Sequence, residues 1–230
     1  MSARRQFLRR LAALPALGWV TGLAAPSALL TGSPTGAAEK FTSLYNGKDL
    51  AGWHIERGKL ECWQANGEMI SCVKNGGGYL ATDQEYGDFE LRLEYRIPPG
   101  GNSGIGLRFP PGGWPSTDAM EIQILDDPHP KYAGLDALHQ NGAIYTHSPA
   151  KVATAARPAG EWNRMVIRCQ GPQVVIHLNQ VEIQNVNLDN FADSLGKGKV
   201  ALAKRPRRGL IGLQCHGERQ DFRKVEIRQL

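Results

Sequence analysis

Short stretches in which apolar and polar residues alternate are the feature that most constrains the fold. In DFELRLEYRI, residues 88–97, every second residue is apolar and the residues between them are charged. Because successive side chains of a β-strand point to opposite faces of a sheet, this pattern predicts a half-buried strand. No stretch after residue 40 keeps a helical period for three turns. The same alternation recurs in NGAIYTH, EWNRMVIRCQG, QVVIHLNQVEIQNV, GLIGLQCHG and DFRKVEIRQL.

Turns rich in Gly, Pro and Asn divide the chain into about a dozen such stretches, as in β-sandwiches and barrels. In CWQANGEMISC, Asn66-Gly67 separates two β-prone runs and predicts a two-residue hairpin. The sequence therefore predicts an all-β fold in which two antiparallel sheets pack face to face. If one sheet curves, its outer face forms a shallow groove for a ligand.

The first 38 residues have the layout of an export signal. A basic start, with Arg4-Arg5 and Arg9-Arg10, precedes a mildly apolar run and then small residues. The order RRQFLR is similar to a twin-arginine signal, which a receptor reads and which does not anchor a protein. Gly, Pro, Ser and Thr interrupt the apolar run, which argues against a spanning helix. We therefore expect residues 1–38 to be removed, residues 39–230 to form one domain, and the mature protein to be periplasmic or secreted without membrane insertion.

The basic character of the chain comes mostly from that leader. The full sequence has 27 Lys and Arg against 22 Asp and Glu, and residues 1–38 contain four of the arginines and no acid. The remainder has a net charge near zero, which gives no support for binding nucleic acid. The remaining basic cluster, KRPRR at 204–208, is predicted to be a solvated loop.

Four cysteines, Cys62, Cys72, Cys169 and Cys215, have no spacing typical of a metal or redox site. An exported protein can hold disulfides, and Cys62 and Cys72 flank a predicted turn. The sequence leaves all three pairings open, and buried free thiols are the alternative.

Seven motifs follow one another along the chain: FTSLYNGKDLAGWH, GGGYLATDQEYGDFELRLEYRIPPGGNSGIGLRF, EIQILDD, NGAIY, PAGEWNRMVIRCQG, LIGLQCHG and DFRKVEIRQL. Together they resemble the 3-keto-disaccharide hydrolase family. The resemblance covers Phe41 to Leu230 and departs from the family pattern at Gln180, where the hairpin usually carries Gly. It implies a jelly-roll sandwich of the concanavalin A-like lectin and glucanase type. It also implies action on glucosides whose C3 hydroxyl has been oxidised to a ketone.

The stretch AMEIQILDD carries the main candidate for catalysis. Alternation places Glu121 and Gln123 on one face of a strand. A one-residue bulge at Leu125 would bring Asp126 to the same face, and bulges are frequent beside active sites. The spacing E-x-Q-x-x-D is then similar to the E-x-D-x-x-E strand of jelly-roll glucanases, with an amide in place of the middle acid. A solvated strand face with ordinary turn acids is the alternative.

Two further catalytic candidates lie on other predicted strands. Arg108 follows the Gly-rich run NSGIGL and is expected either to pair with Glu121 or to polarise the ketone; a structural ion pair is the alternative. His216 occurs in the LIGLQCHG motif of the resemblance. It is expected to donate a hydrogen bond to the sugar or to act as an acid.

The remaining candidates would bind substrate. The amides of Asn102 and Gln123 and the carboxyl of Asp126 are expected to bond sugar hydroxyls. Tyr145 and His139, in and beside NGAIYTH, are expected to line the same groove. Trp53, like Trp114, is a candidate for stacking on the apolar face of a sugar. By contrast, Trp63 and Trp162 are predicted to lie in the core.

The chemistry implied by the resemblance has two possible routes. A ketone at C3 acidifies the C2 proton, so a base can remove it, the glycosidic oxygen can leave, and water can add back. Direct displacement instead needs two carboxylates at a defined separation. Glu121 is the expected base in the first route and the acid in the second. Because Gln123 stands where a glucanase has an acid, we favour elimination slightly.

The expected partner is a 3-keto sugar made by a separate glycoside 3-dehydrogenase, since the sequence has no motif for a redox cofactor. No cofactor is expected to be required and no local metal-ligand spacing is present, although Asp126 and Asp127 are candidates for calcium. Two alternative functions are a carbohydrate-binding module of the same fold without chemistry and a conventional glucanase.

Overall fold

The computed structural model describes residues 40–73, 76–193 and 200–230. The predicted export signal lies outside these residues. Two antiparallel sheets form the described part, which confirms the predicted all-β, two-sheet jelly-roll sandwich. Within these ranges, no helix is long and apolar enough to cross a membrane.

Eight strands form the larger sheet, in the order β11-β10-β9-β6-β13-β4-β3, with β1 also paired to β13; the smaller sheet has the order β2-β5-β12-β7-β8. The described strands are β1 Thr42–Ser43, β2 Trp53–Gly58, β3 Trp63–Asn66, β4 Met69–Cys72, β5 Gly78–Thr82, β6 Phe89–Arg96, β7 Asn102–Phe109, β8 Met120–Leu125, β9 Asn163–Gln170, β10 Gln173–Leu178, β11 Val181–Asn187, β12 Leu210–Gln214 and β13 Gln220–Gln229. A single-turn α-helix, α1, spans Pro115–Asp118, and short 3-10 turns span Leu60–Cys62, Pro130–Tyr132, Ala137–His139, Ala153–Ala155, Leu188–Asn190 and Leu202–Lys204.

Alternation along β8 divides its side chains between the core and the outer face of the smaller sheet. Met120, Ile122 and Ile124 are buried in the main apolar cluster between the sheets. Glu121 and Gln123 therefore point to the opposite face. Both are nevertheless buried, which shows that other parts of the chain cover this face.

Two hairpins have the two-residue turns of tightly connected strands. The β3–β4 hairpin has the predicted two-residue turn, but Asn66 pairs with Met69, so the turn residues are Gly67 and Glu68 and not Asn66 and Gly67. In the β10–β11 hairpin, Asn179 and Gln180 have φ values of 49° and 73°. Two successive positive φ angles are typical of a type I′ turn, and Gln is an unfavourable residue for that backbone.

A bulge in β7 changes the direction of the strand's last side chains. Leu210 and Ile211 of β12 pair with Phe109 and Leu107, so Arg108 is an extra residue with no partner opposite it, and its φ is 55°. Regular alternation from Gly104 would place Arg108 on the outer face of the smaller sheet. Because the bulge reverses that alternation, Arg108 leaves this face and Phe109 joins it.

A disulfide joins the two sheets. Cys72 of β4, in the larger sheet, is bonded to Cys215, directly after β12 of the smaller sheet. Cys62 and Cys169 are buried free thiols. The structure thus combines one disulfide with two free cysteines, where the sequence left both arrangements open. The bond fixes the end of β12 against the opposite sheet.

Candidate active site

A cavity of about 360 Å³ opens on the outer face of the smaller sheet. Four of the five strands of this sheet supply its walls, together with the loop before α1 and the segment after the 3-10 turn Ala137–His139. The lining residues are Gly77, Gly78, Tyr79, Asn102, Trp114, Ser116, Glu121, Gln123, Tyr145, Gln214, Cys215 and His216.

The strand register explains how Glu121 reaches the middle of the sheet. On β7, Gly106 is the partner of Glu121 and Gly104 is the partner of Gln123. Neither glycine has a side chain, so the Glu121 carboxyl lies over β7. A Cβ built on Gly104 would stand 2.5 Å from Glu121 Oε1. The protein's own carboxyl therefore fills the space above this glycine.

Two neutral groups bind the Glu121 carboxyl. Gln214 Nε2 donates to Oε1 at 2.8 Å, and the Tyr79 hydroxyl is also hydrogen-bonded to the carboxyl. Tyr79 in turn accepts a hydrogen bond from Gln214 Nε2 at 3.0 Å, and the two residues pair across β5 and β12. The three side chains form one connected network.

Burial sets the protonation of this carboxyl. Glu121 is 5% exposed, and loss of solvent raises its pKa from 4.5 to about 7, although the hydrogen bonds from Tyr79 and Gln214 oppose the shift. Burial and the neighbouring Glu121 charge also raise the pKa of the Tyr79 hydroxyl well above its usual value. A carboxyl with a pKa near neutrality can both take and give a proton, as general acid–base catalysis requires.

Amide groups extend the polar surface beside the carboxyl. Gln123 Nε2 donates to Asn102 Oδ1 at 3.1 Å. The Oε1 atom of Gln214 is buried and has no hydrogen-bond partner among the described residues. Because a buried acceptor is costly to leave unsatisfied, this atom is suited to accept a hydrogen bond from a ligand hydroxyl.

The loop before α1 brings an exposed aromatic ring to the rim. Trp114 is 41% exposed, and its ring meets that of Tyr79 edge-on, with centroids 6.2 Å apart. Glu56 accepts from Gly112 N at 2.9 Å, and the Arg57 guanidinium lies 4.9 Å from the Trp114 ring. These contacts hold Trp114 where a sugar ring could stack on it.

The basic cluster at 204–208 supports the same loop instead of being wholly solvated. Arg205 is buried, and its Nη1 donates to the carbonyls of Ser116 at 3.2 Å and Ala119 at 2.8 Å. The expectation of a solvated loop is therefore wrong for Arg205. The guanidinium satisfies backbone carbonyls around α1 that would otherwise be buried without partners.

The cavity brings together six of the residues that the sequence predicts for the site: Glu121, Gln123, Asn102, Tyr145, His216 and Trp114. Tyr145 is held next to β8, since its backbone N donates to Glu121 O at 2.9 Å. His139 lies behind Tyr145, with ring centroids 4.9 Å apart, and its Nδ1 is 2.8 Å from Asp136 Oδ1. It therefore supports the wall of the cavity and does not line it.

The expected pairing of Arg108 with Glu121 is wrong. The bulge turns the guanidinium away from the cavity, where it donates to the carbonyls of Gly87 and Gly171, each at 2.8 Å, and to Asp88 Oδ1 at 3.1 Å. With 1% of its surface exposed, Arg108 ties together turns at the end of the sandwich. The structural ion pair, which the sequence left as the alternative, is the arrangement found.

Two other predicted contacts with the sugar are also misplaced. Trp53 is buried in the core and donates its indole N–H to Leu44 O at 2.6 Å, because its position in β2 faces the other sheet. Asp126 lines a separate cavity of about 620 Å³ and accepts from Gly100 N at 2.8 Å. The bulge expected at Leu125 does not form, since Leu125 pairs in regular register with Asn102.

Tyr79 and Gln214 are site residues that the sequence analysis missed. Both occur in motifs of the resemblance, and alternation places each on the outer face, but their bonds to Glu121 depend on which strands are neighbours. In the described residues, no cluster of three or more His, Cys, Asp and Glu side chains is arranged to hold a metal ion.

Replacing Gly104 with Ala is expected to damage the site more than the fold. The new methyl would displace the Glu121 carboxyl. A misplacement of about 1 Å near reacting groups costs roughly 10²-fold in rate. We expect kcat/KM to fall by about that factor while the melting temperature falls by only a few degrees. Gly87→Ala is the matched control, because its Cβ would meet nothing closer than 3.8 Å. Equal activity of the two variants would contradict this position for Glu121.

Residues 40–228 match the sequence model of a protein family, the 3-keto-alpha-glucoside-1,2-lyase-like domain. The chain belongs to this family. A "3-keto-disaccharide hydrolase" of Bacteroides thetaiotaomicron is 28% identical over 84% of this chain and 79% of its own length. Both names agree with the resemblance in the sequence, and they support a carbohydrate hydrolase-like, glycoside-cleaving function.

Solved structures of the same architecture give a consistent result. A candidate glycosyl hydrolase of Parabacteroides distasonis superimposes with a TM-score of 0.74 at 28% identity, covering 83% of this chain and 100% of that one. A second candidate glycosyl hydrolase from the same organism has a TM-score of 0.69 at 21% identity, covering 83% and 94%. The second match shows the fold alone.

Proposed function

We propose that this member of the 3-keto-alpha-glucoside-1,2-lyase-like family cleaves the glycosidic bond of 3-keto-glucosides or 3-keto-disaccharides by elimination followed by hydration. The observation that carries the proposal is a buried carboxyl, Glu121, with a pKa near 7 in an open cavity of about 360 Å³. A base of this strength suits a carbon acid that a neighbouring ketone has activated.

The composition of the cavity favours elimination over direct displacement. Glycosidases that act by displacement use two carboxyl groups, roughly 5 to 9.5 Å apart. Among the described residues that line the cavity, Glu121 is the one carboxylic acid, and amides occupy the neighbouring positions. A single base and several neutral hydrogen-bonding groups match the needs of proton abstraction next to a ketone.

In the proposed reaction, the Glu121 carboxylate takes the proton from C2 of the sugar, and the electron pair of that C–H bond forms the enolate. When the enolate collapses, the ketone re-forms, a double bond forms between C1 and C2, and the bond from C1 to the glycosidic oxygen breaks. A proton donor then neutralises that oxygen. Water adds to C1 and a proton returns to C2, which completes a net hydrolysis.

The other residues have supporting roles in this proposal. Tyr79 and Gln214 orient the carboxyl, Gln123 and Asn102 bind sugar hydroxyls, and His216 at the rim protonates the leaving oxygen or binds the ketone. The reaction consumes no redox equivalents and requires no cofactor of its own. A separate glycoside 3-dehydrogenase would supply the ketone, and the protein would meet its substrate after export to the periplasm or beyond.

The test is to incubate residues 39–230 with 3-keto-trehalose and, in parallel, with unoxidised trehalose. We expect release of 3-keto-glucose or its unsaturated ketone from the first substrate and no product from the second. Binding of 3-keto-trehalose without any product would favour a carbohydrate-binding module, and cleavage of unoxidised glucan would favour a conventional glucanase.

A further inference from the structure

A second polar cavity, of about 210 Å³, lies at the larger sheet, on the side away from the interior of the sandwich. It shares no lining residue with the Glu121 cavity. Its walls come from the β10–β11 hairpin, from β6, β9 and β13, and from the loop that precedes β9. The groups that matter for a ligand are the guanidinium groups of Arg157, Arg164 and Arg223, the carboxyl of Glu94 and the side chain of Gln180.

The cavity carries an excess of positive charge. Glu94 accepts from Arg223 Nε at 2.6 Å and from Lys224 Nζ at 2.9 Å, so two cations already share its one negative charge. In the part of the chain that the structure describes, the guanidinium groups of Arg157 and Arg164 make no ion pair. The cavity therefore favours binding of an anion. Two guanidinium groups without an ion pair face it, and its carboxylate is already bound by other cations.

Strain at the rim is an independent sign of a binding role. Gln180 has a φ of 73° in the β10–β11 turn, a conformation that Gly adopts without cost and Gln does not. Strained residues are frequent at ligand sites, where a side chain is kept at the expense of backbone energy. The preceding residue is fixed in place, because Asn179 Nδ2 donates to Asn163 Oδ1 at 2.7 Å and to Ala155 O at 2.9 Å.

We propose that this cavity is a binding site for an oxyanion carried by a polar ligand, either the carboxylate of an acidic sugar or the phosphate of a phosphorylated one. The planar guanidinium groups of Arg157 and Arg164 present paired N–H donors that match the oxygens of both anions. The amide of Gln180 adds a neutral donor at the rim. This site is separate from the proposed catalytic cavity and does not depend on the proposed function.

Tryptophan fluorescence offers a direct readout of binding. The Trp162 ring, which the sequence wrongly predicted for the core, lines the cavity and lies 4.0 Å from the Arg223 guanidinium. Titration of the protein with D-glucuronate, inorganic phosphate and D-glucose, followed by this fluorescence and by calorimetry, should give saturable binding of at least one anion and none of glucose. Binding of phosphate alone would identify a phosphate ester as the ligand group, and binding of glucuronate alone would identify a carboxylate.

The variants Arg164→Gln and Arg157→Gln should each weaken anion binding by about 10-fold or more, the loss expected for a charged hydrogen bond. Arg168→Gln is the matched control, because Arg168 lies on the same strand and the same face as Arg164 but outside the cavity. The affinity of Arg168→Gln for the anion should differ from that of the parent protein by less than about 2-fold, as expected for an exposed charge. Equal losses in all three variants, or no binding of either anion, would overturn the proposal.

Gln180→Gly separates binding from folding. The glycine relieves the backbone strain, so the variant should melt at a higher temperature than the parent protein. It should also bind the anion several-fold more weakly, since the side-chain amide is lost. Unchanged affinity together with a higher melting temperature would show that Gln180 has no part in the site.

Discussion

Glu121→Gln is expected to slow turnover of a 3-keto-glucoside severely while leaving the fold intact. Gln has nearly the same shape as Glu and can still bond Gln214 and Tyr79, but it cannot accept a proton from carbon. Positioned acid–base groups contribute about 10² to 10⁴-fold in rate, and we expect a loss toward the upper end of that range in kcat/KM. Steady-state assays of the purified parent and variant proteins measure this loss in kcat/KM.

The same substitution should stabilise the protein above neutral pH. The pKa of Glu121 is about 7 in the folded protein and its ordinary value is 4.5. The folded state therefore holds the proton more tightly, so stability falls as the pH rises between these values. By pH 8 the buried charge costs about 3 kcal/mol, an order-of-magnitude figure. Urea denaturation should show that the free energy of unfolding falls less between pH 4.5 and pH 8 for Glu121→Gln than for the parent protein.

Asp126→Asn is the matched control for these measurements. Asp126 directly follows the same strand, but it lines a different cavity and accepts a hydrogen bond from Gly100 N. An amide oxygen can accept that same hydrogen bond, so activity should remain within about 3-fold of the parent, a change below 1 kcal/mol. Loss of activity in Asp126→Asn, or its retention in Glu121→Gln, would contradict the assignment of the base.

Arg108→Met is expected to show the opposite pattern, with a large loss of stability and little loss of activity. The guanidinium satisfies two backbone carbonyls and Asp88, and it is almost fully buried. Removing it leaves these acceptors without a charged donor, which should cost about 3 kcal/mol. For a chain of this length, that corresponds to a decrease in melting temperature of about 6 to 12 °C.

Thermal denaturation and kinetics at 25 °C together decide the role of Arg108. We expect kcat/KM to remain within about 3-fold of the parent value, since the residue is remote from the cavity. Arg92→Met, at a partly exposed ion pair with Glu90, is the control and should cost less than about 1 kcal/mol. A stable Arg108→Met protein without activity would restore the catalytic role that the sequence suggested.

Much of the site could be predicted because period-two alternation is a local property of the sequence. It assigns Glu121 and Gln123 to one face of a strand without knowledge of any other strand. The same argument places Asn102 on the outer face of its own strand. The central carboxyl and its flanking amides are therefore predictable from the sequence alone.

The errors come from backbone irregularities that leave no clear mark in the sequence. A bulge was expected at Leu125 and occurs instead at Arg108, and each misplacement moves one side chain to the wrong face. Tyr79 and Gln214 were missed for another reason. Their strands are far apart in the chain, and β-pairing between distant segments depends on the topology of the whole sheet.

The most direct test of the central claim, that Glu121 removes the proton at C2, is to run the reaction in D₂O and examine the 3-keto-glucose product by NMR. Free 3-keto-glucose incubated without enzyme provides the correction for spontaneous exchange. Elimination and hydration predict one deuteron at C2 for each molecule cleaved by the parent protein, and far slower product formation by Glu121→Gln. Cleavage that leaves the original proton at C2 would contradict the account and support direct displacement.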